Sequence, residues 1–113
     1  MGLLTREQIL SADDVKTEVV PVPEWGGEVR VRGLTGLQRD RFEARVVEED
    51  FDNVRAAYAA ASIIDEDGNQ MFTAEDIDEL GNKSASALQR VLLVAQRISG
   101  VSENELESME KNS

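Results

Sequence analysis

Cysteine and histidine are both missing from this chain of 113 residues. Without cysteine there are no disulfides, thiolate nucleophiles or zinc–sulfur sites, which fits a reducing cytoplasm. Without histidine the chain lacks the commonest general base and the commonest transition-metal ligand. Aromatics are scarce, namely Trp25, Phe42, Phe51, Tyr58 and Phe72, so a core must be built mostly from aliphatic residues and alanine. No apolar run approaches the roughly 20 residues that span a bilayer. The opening "MGLLTREQIL" has no basic region before its apolar stretch and no small-residue cleavage site, so it is not read as a signal peptide. Arg6 stands where an acylation motif needs Ser or Thr.

What the chain has is acid. The formal net charge is −11, with 31% of residues charged. Such a surface repels nucleic-acid phosphates and anionic headgroups, so neither nucleic acid nor membrane is expected as a partner. It favours basic partners or keeps copies in solution. The length is that of one domain, 1–113. Residues 1–100 are expected to form a folded body and 101–113 a short acidic C-terminal helix or tail.

"VPVPEWGGEVRVRGLTG", residues 20–36, holds both prolines and the single tryptophan. Prolines cannot donate to a ladder, so Val19–Val22 reads as an edge strand or extended arm. Gly26-Gly27 is expected to make the turn. "EVRVR" then alternates, with Val29 and Val31 on one face and Glu28, Arg30 and Arg32 on the other. The spacing predicts a two-stranded hairpin over about 18–32 whose valine face packs on helices. Trp25 reads as covering that packing edge, with direct partner contact as the alternative.

The rest reads as helix. Thr5 and Gln8 form a capping box, with Leu4 and Ile9 at staple positions. Thr35 and Gln38 form a second box, opening the longest helical segment. There Leu37, Ala44, Val47, Phe51, Val54, Tyr58 and Ala61 recur at gaps of seven, three and four. One long helix over 36–62 and two helices broken near "EEDFDN" both fit, since Asp50, Asp52 and Asn53 are good caps. Thr73 caps a short helix, with Phe72 and Ile77 as staple, that Gly81-Asn82 ends. "SASALQRVLLVAQRISG" is read as the central core helix, with Leu88, Val91, Leu92, Ala95 and Ile98 on one face, widened by Leu93 and Val94. A third box, Ser102 and Glu105, opens the C-terminal segment, where Val101, Leu106 and Met109 are the apolar anchors. The fold class is therefore mainly α (α+β), a helical bundle-like domain with one small N-terminal β-hairpin.

"IIDEDGNQMFTAED" invites comparison with a calcium loop, through Asp65, Asp67, Asn69, Met71, Thr73 and Asp76. The loop glycine is displaced to Gly68, and Asp76 stands where a bidentate glutamate belongs. A tight turn between Ile63-Ile64 and Met71-Phe72 is the simpler reading. Residues 65–80 hold acids and no base, a solvated face rather than a catalytic pair. There is no phosphate loop and no nucleophile elbow. The chain is read as a non-enzyme without cofactor or metal, acting by binding.

The order of "LLTREQILSADD", the "PEWGGEVRVRGLTG" stretch and "DEDGNQMFTAEDIDELGNKSASAL" resembles the tail assembly chaperones of long-tailed bacteriophages and prophages. The segment between the last two matches only loosely. The resemblance implies a non-enzymatic, mainly helical protein of the host bacterial cytoplasm, not retained in the mature virion. Such chaperones bind the hydrophobic tape measure protein, keep it in solution, and help tail tube protein polymerise around it. The expected contact surface is the stripe Val47, Phe51, Val54 and Tyr58, joined by Trp25, Leu106 and Met109. The resemblance also implies a longer frameshifted form. Glu110-Lys111-Asn112 can be encoded by a slippery A-AAA-AAC string one residue before the end. The alternatives are a calcium-responsive binding module using residues 65–76, and a phage structural subunit such as a head–tail joining protein.

Overall fold

The structure is a computed structural model that describes residues 2–47 and 53–100. Its elements run α1 (Arg6–Ser11), β1 (Thr17–Val22), β2 (Gly27–Arg32), α2 (Gly36–Val47), α3 (Val54–Ser62), β3 (Ile63–Ile64), α4 (Ile77–Leu80) and α5 (Ala85–Ile98). The mainly α architecture with an N-terminal hairpin is as expected.

The hairpin is part of a larger unit. Its two strands pair antiparallel from Thr17↔Arg32 to Val22↔Gly27. A third strand, β3, pairs antiparallel with β2 at Arg30↔Ile64 and Val31↔Ile63. The sheet order is β1-β2-β3, so proline-bearing β1 is an edge. Pro21 sits opposite Glu28, where a missing N–H costs least. The turn is not a glycine pair. Pro23–Trp25 forms a 3₁₀ turn, and Gly26 closes it in the left-handed region at φ 76°. A side chain there would be strained. Gly27 already belongs to β2.

The alternation of β2 decides what lies inside. Val31 is fully buried and Val29 half-buried, and on β1 Val20, opposite Val29, and Val22 are buried. This face meets α5 through Ala87, Leu88, Val91 and Ala95, with Tyr58, Ala59 and Ile63 completing the core. The Leu88/Val91/Ala95 face of α5 is buried as read, Leu92, Val94 and Ile98 pack at its margin, and Leu93 is exposed. Two ion pairs fasten α5 to the hairpin along its rim. Arg90 grips Glu24 with two bonds, of 2.6 and 3.1 Å, and Arg97 bonds Glu18. Both pairs are wet, so they fix orientation more than stability.

The Arg90 pair has a pH signature. Its hydrogen bond from Arg90 holds the Glu24 carboxyl below its ordinary value of 4.5. A depressed carboxyl adds stability above that ordinary value and loses it as pH falls through the lowered one. Glu24→Gln is expected to flatten this part of the acid dependence. Urea midpoints of both proteins, followed from neutral pH to below the ordinary glutamate value, check it. Parallel acid limbs would show that the pair adds nothing.

The segment read as one or two helices is two. Asn53 precedes α3 in the left-handed region, at φ 59° and ψ 31°, so no helix continues through it. Its amide donates to Asp78 at 3.1 Å, and its side chain lies where a Cβ on Gly81 would collide with it. The heptad stripe does not form one face either. Leu37 and Ala44 are exposed, whereas Ala56, Ala57, Tyr58, Ala59 and Ala60 are all buried. Helix α3 is buried on two sides because alanines let both neighbours approach. Ala59 and Tyr58 face the main core, while Ala56, Ala57 and Ala60 pack on Ile77 and Leu80 of α4. Phe72 touches both clusters.

Candidate partner-binding surface

Of the residues expected to form the contact surface, the described structure leaves few on the outside. Tyr58 is 3% exposed, with its ring edge-on to Phe42 at 4.9 Å. Burial pushes its hydroxyl above the ordinary value, partly offset by the Ser99 hydroxyl and the Arg39 charge. Trp25 is half-buried and packs against the main core, as the packing reading had it. Val54 is half-buried at the first turn of α3. Val47 ends α2, but its side chain lies outside the described residues, as do Phe51, Leu106 and Met109 and the Ser102/Glu105 box.

The calcium comparison resolves into a turn. The Asp65 carboxylate accepts from the amides of Asp67 (2.9 Å) and Asn69 (3.0 Å). The Asp65 amide donates to the Asn69 carbonyl at 2.8 Å, and Gly68 takes φ 85°. An Ile64↔Gln70 bridge continues the ladder beyond the turn. Arg32 reaches from β2 to the Gly68 carbonyl at 3.2 Å and so pins the turn to the sheet. One oxygen of Asp65 thus already holds backbone. Among the described residues no group of three or more acids is placed to hold a metal ion.

The apolar residues that do face solvent lie elsewhere. Leu3, Leu4, Ile9 and Leu10 surround α1, and Leu37, Met71 and Leu93 stand on other elements. None of the six residues of α1 is buried. The helix exists because its first turn is closed reciprocally. The Thr5 amide donates to Gln8 Oε1 at 2.9 Å, and the Gln8 amide donates to Thr5 Oγ1 at 3.2 Å. The sequence carries both the box and the staple. What it does not carry is that, among the described residues, α1 has no buried side chain.

Past α1 the chain runs through Ala12–Lys16 into β1, and the Gly33 amide ties back to the Lys16 carbonyl at 2.9 Å. A cleft of about 270 Å³ opens here, between Asp14-Val15, the Gly33–Gly36 turn and Ile98-Ser99. Its floor is tight. A Cβ on Gly33 would sit 3.1 Å from the Ile98 carbonyl. The Leu34 amide donates to Ser99 Oγ at 2.8 Å, and that hydroxyl donates to the Ala95 carbonyl. The site so built offers apolar side chains, one carboxylate (Asp14) and a recess. It has no nucleophile beside a base.

No protein-family model matches the sequence, and no curated protein matches it. Among solved structures, the chain matches the bacteriophage HK97 tail assembly chaperone with a TM-score of 0.65 at 19% identity. The match covers 86% of this chain and 95% of that one. The fold is that of the HK97 tail assembly chaperone. The hairpin and the "DEDGN" turn, which carried the resemblance, both lie within the described residues of this fold. In this fold the two stretches are neighbours, since Arg32 of the first holds Gly68 of the second.

Proposed function

We propose that the protein is a phage tail assembly chaperone. In this reading it acts without catalysis in the cytoplasm of the host bacterium. It binds the tape measure protein, keeps it in solution, and promotes polymerisation of tail tube protein around it. The observation that carries this reading is the fold shared with the HK97 chaperone along almost the whole of both chains. The chemistry supports it. A body of net charge −11 keeps a complex with an apolar client dispersed, and exposed leucines offer the client an apolar surface.

The test is co-expression with the tape measure protein of the same phage. The tape measure protein is expected to move from the pellet to the supernatant and to co-purify with this chain. Equal solubility with and without the chain would end the proposal. Mass spectrometry of purified virions distinguishes a head–tail joining subunit, because a chaperone leaves the particle and a joining protein stays. Sequencing the gene through Glu110–Asn112 tests the frameshifted form: a slippery string and an open −1 frame across the stop are expected.

A further inference from the structure

We propose that Asp67 is a modification site: it isomerises spontaneously to isoaspartate through its bond to Gly68, and the folded turn, held by Arg32, slows the reaction. This chemistry is independent of the chaperone reading.

The first ground is the residue pair. Asp67-Gly68 is the single Asp-Gly in the sequence, and no Asn-Gly occurs. In the reaction the Gly68 amide nitrogen attacks the protonated side-chain carboxyl of Asp67. An N–Cγ bond forms, the nitrogen gives up its proton, and the carboxyl hydroxyl leaves with it as water. Water then reopens the cyclic imide. Breaking the N–Cγ bond restores aspartate. Breaking the bond from the nitrogen to the former backbone carbonyl leaves the chain running through Cγ, with that carbonyl now a free carboxylate. The net composition is unchanged. A side chain at 68 would shield the nitrogen, and glycine has none.

The second ground is that the fold requires this glycine. Gly68 takes φ 85°, and nothing lies within 4 Å of where a Cβ would stand. Backbone conformation, not space, therefore selects glycine here. The hairpin loop is closed by a residue in the left-handed region, and the susceptible pair comes with it. The two carboxylates of the turn also differ. That of Asp65 holds the Asp67 and Asn69 amides. Asp67 is exposed, and its carboxylate takes no hydrogen bond among the described residues, so it can swing towards the Gly68 nitrogen.

The third ground is what restrains the attack. The Gly68 amide donates to the Asp65 carbonyl at 3.0 Å, and the Gly68 carbonyl accepts from Arg32 Nη1 at 3.2 Å. Glycine 68 is thus held on both sides, and its nitrogen must leave one bond before it can react. Arg32 is half-buried, and its Nε is buried without a partner among the described residues. Its grip on the turn is therefore the Gly68 bond. Isomerisation lengthens the chain by one carbon, about 1.5 Å, which takes Gly68 out of register with Arg32 and Asp65. The Ile64↔Gln70 bridge beyond the turn then loosens.

The experiment ages the full chain in warm buffer, once folded and once in urea. Isoaspartate is read by an isoaspartyl methyltransferase and placed by digestion with a protease that cuts before aspartate but not before isoaspartate. In urea the mark is expected at residue 67 ahead of every other aspartate. Deamidation at Asn112 is told apart because it raises the mass, which isomerisation does not. The folded chain is expected to gain the mark at least about tenfold more slowly, the factor that one or two hydrogen bonds supply. Arg32→Gln, checked as folded by its urea midpoint, is expected to raise the folded rate severalfold. Ile98→Val, a mild destabilisation far from the turn, is the control that keeps the wild-type rate. Gly68→Asn, which tolerates the left-handed region, is expected to fold and to lose the mark. No isoaspartate at 67 in urea would overturn the site. Equal rates folded and in urea, or a rate for Arg32→Gln no higher than for Ile98→Val, would overturn the restraint.

Discussion

Tyr58→Ala is expected to lower the unfolding free energy by about 3–5 kcal/mol, the cost of removing a large aromatic from a packed core. Tyr58 is 3% exposed, and its ring is set at 78° to that of Phe42. Removing it leaves a cavity between α2 and α3 and strips Phe42 of its edge-to-face partner. Small domains have about 5–15 kcal/mol in all, so the urea midpoint should drop by about a fifth or more. Tyr58→Phe keeps the ring and is expected to cost about 1 kcal/mol. The hydroxyl adds a pH marker. Burial raises its pKa above the ordinary 10.0. The proton is thus held more tightly in the folded chain, and this share of stability is intact below that value and lost as pH rises through the raised one. Phenolate absorbance should therefore appear late and together with alkaline unfolding. If Tyr58→Ala keeps the wild-type midpoint and loses only the tape measure protein, the residue is a contact and not core.

That result would also explain why the sequence pointed to Tyr58 as a contact residue. Features settled within a few residues were legible. The Thr5/Gln8 and Thr35/Gln38 boxes are closed by reciprocal bonds, because a cap needs nothing beyond its own turn. The β2 alternation and the Leu88/Val91/Ala95 face of α5 held for the same reason. Features set by distant partners were not legible. Strand β3 is two residues long and shows no alternation; it exists because Val31 meets Ile63 across the sheet. The stripe from Leu37 to Ala61 failed because the turn at Asn53 resets the phase of the helix and because alanine carries no facing signal. Both α3 faces carry alanine, and both are buried. The largest side chains, Tyr58 and Trp25, were drawn inward by a core short of aromatics. Burial competes for the same residue types that interfaces favour, and sequence alone does not separate the two. The exposed leucines of α1 are the complement. Their spacing reads as an ordinary staple, and only the fold shows how exposed they are among the described residues.

The sharpest test of the fold is a pair of substitutions on one helix. Val91→Asp is expected to abolish cooperative folding, while Leu93→Asp is expected to change stability by no more than about 1 kcal/mol. Two residues apart, these positions point about 200° apart around α5. Val91 is fully buried among Val20, Val22, Val31 and Ile63, and Leu93 is 50% exposed. A carboxylate at 91 would sit among apolar side chains. Arg90 and Arg97 are already bonded to Glu24 and Glu18 at the wet rim. The group must either stay charged in an apolar core or take up a proton, and the second route still leaves its polar atoms without partners. Several kcal/mol are lost in either case, a large part of what a domain of this size has. At 93 the same carboxylate meets water and pays only the modest helix preference of leucine over aspartate. Circular dichroism through a urea series reads both. A Val91→Asp protein that unfolds cooperatively near the wild-type midpoint would mean that α5 does not lie on the sheet. The packing that places Tyr58 inside and leaves α1 outside would then have to be redrawn.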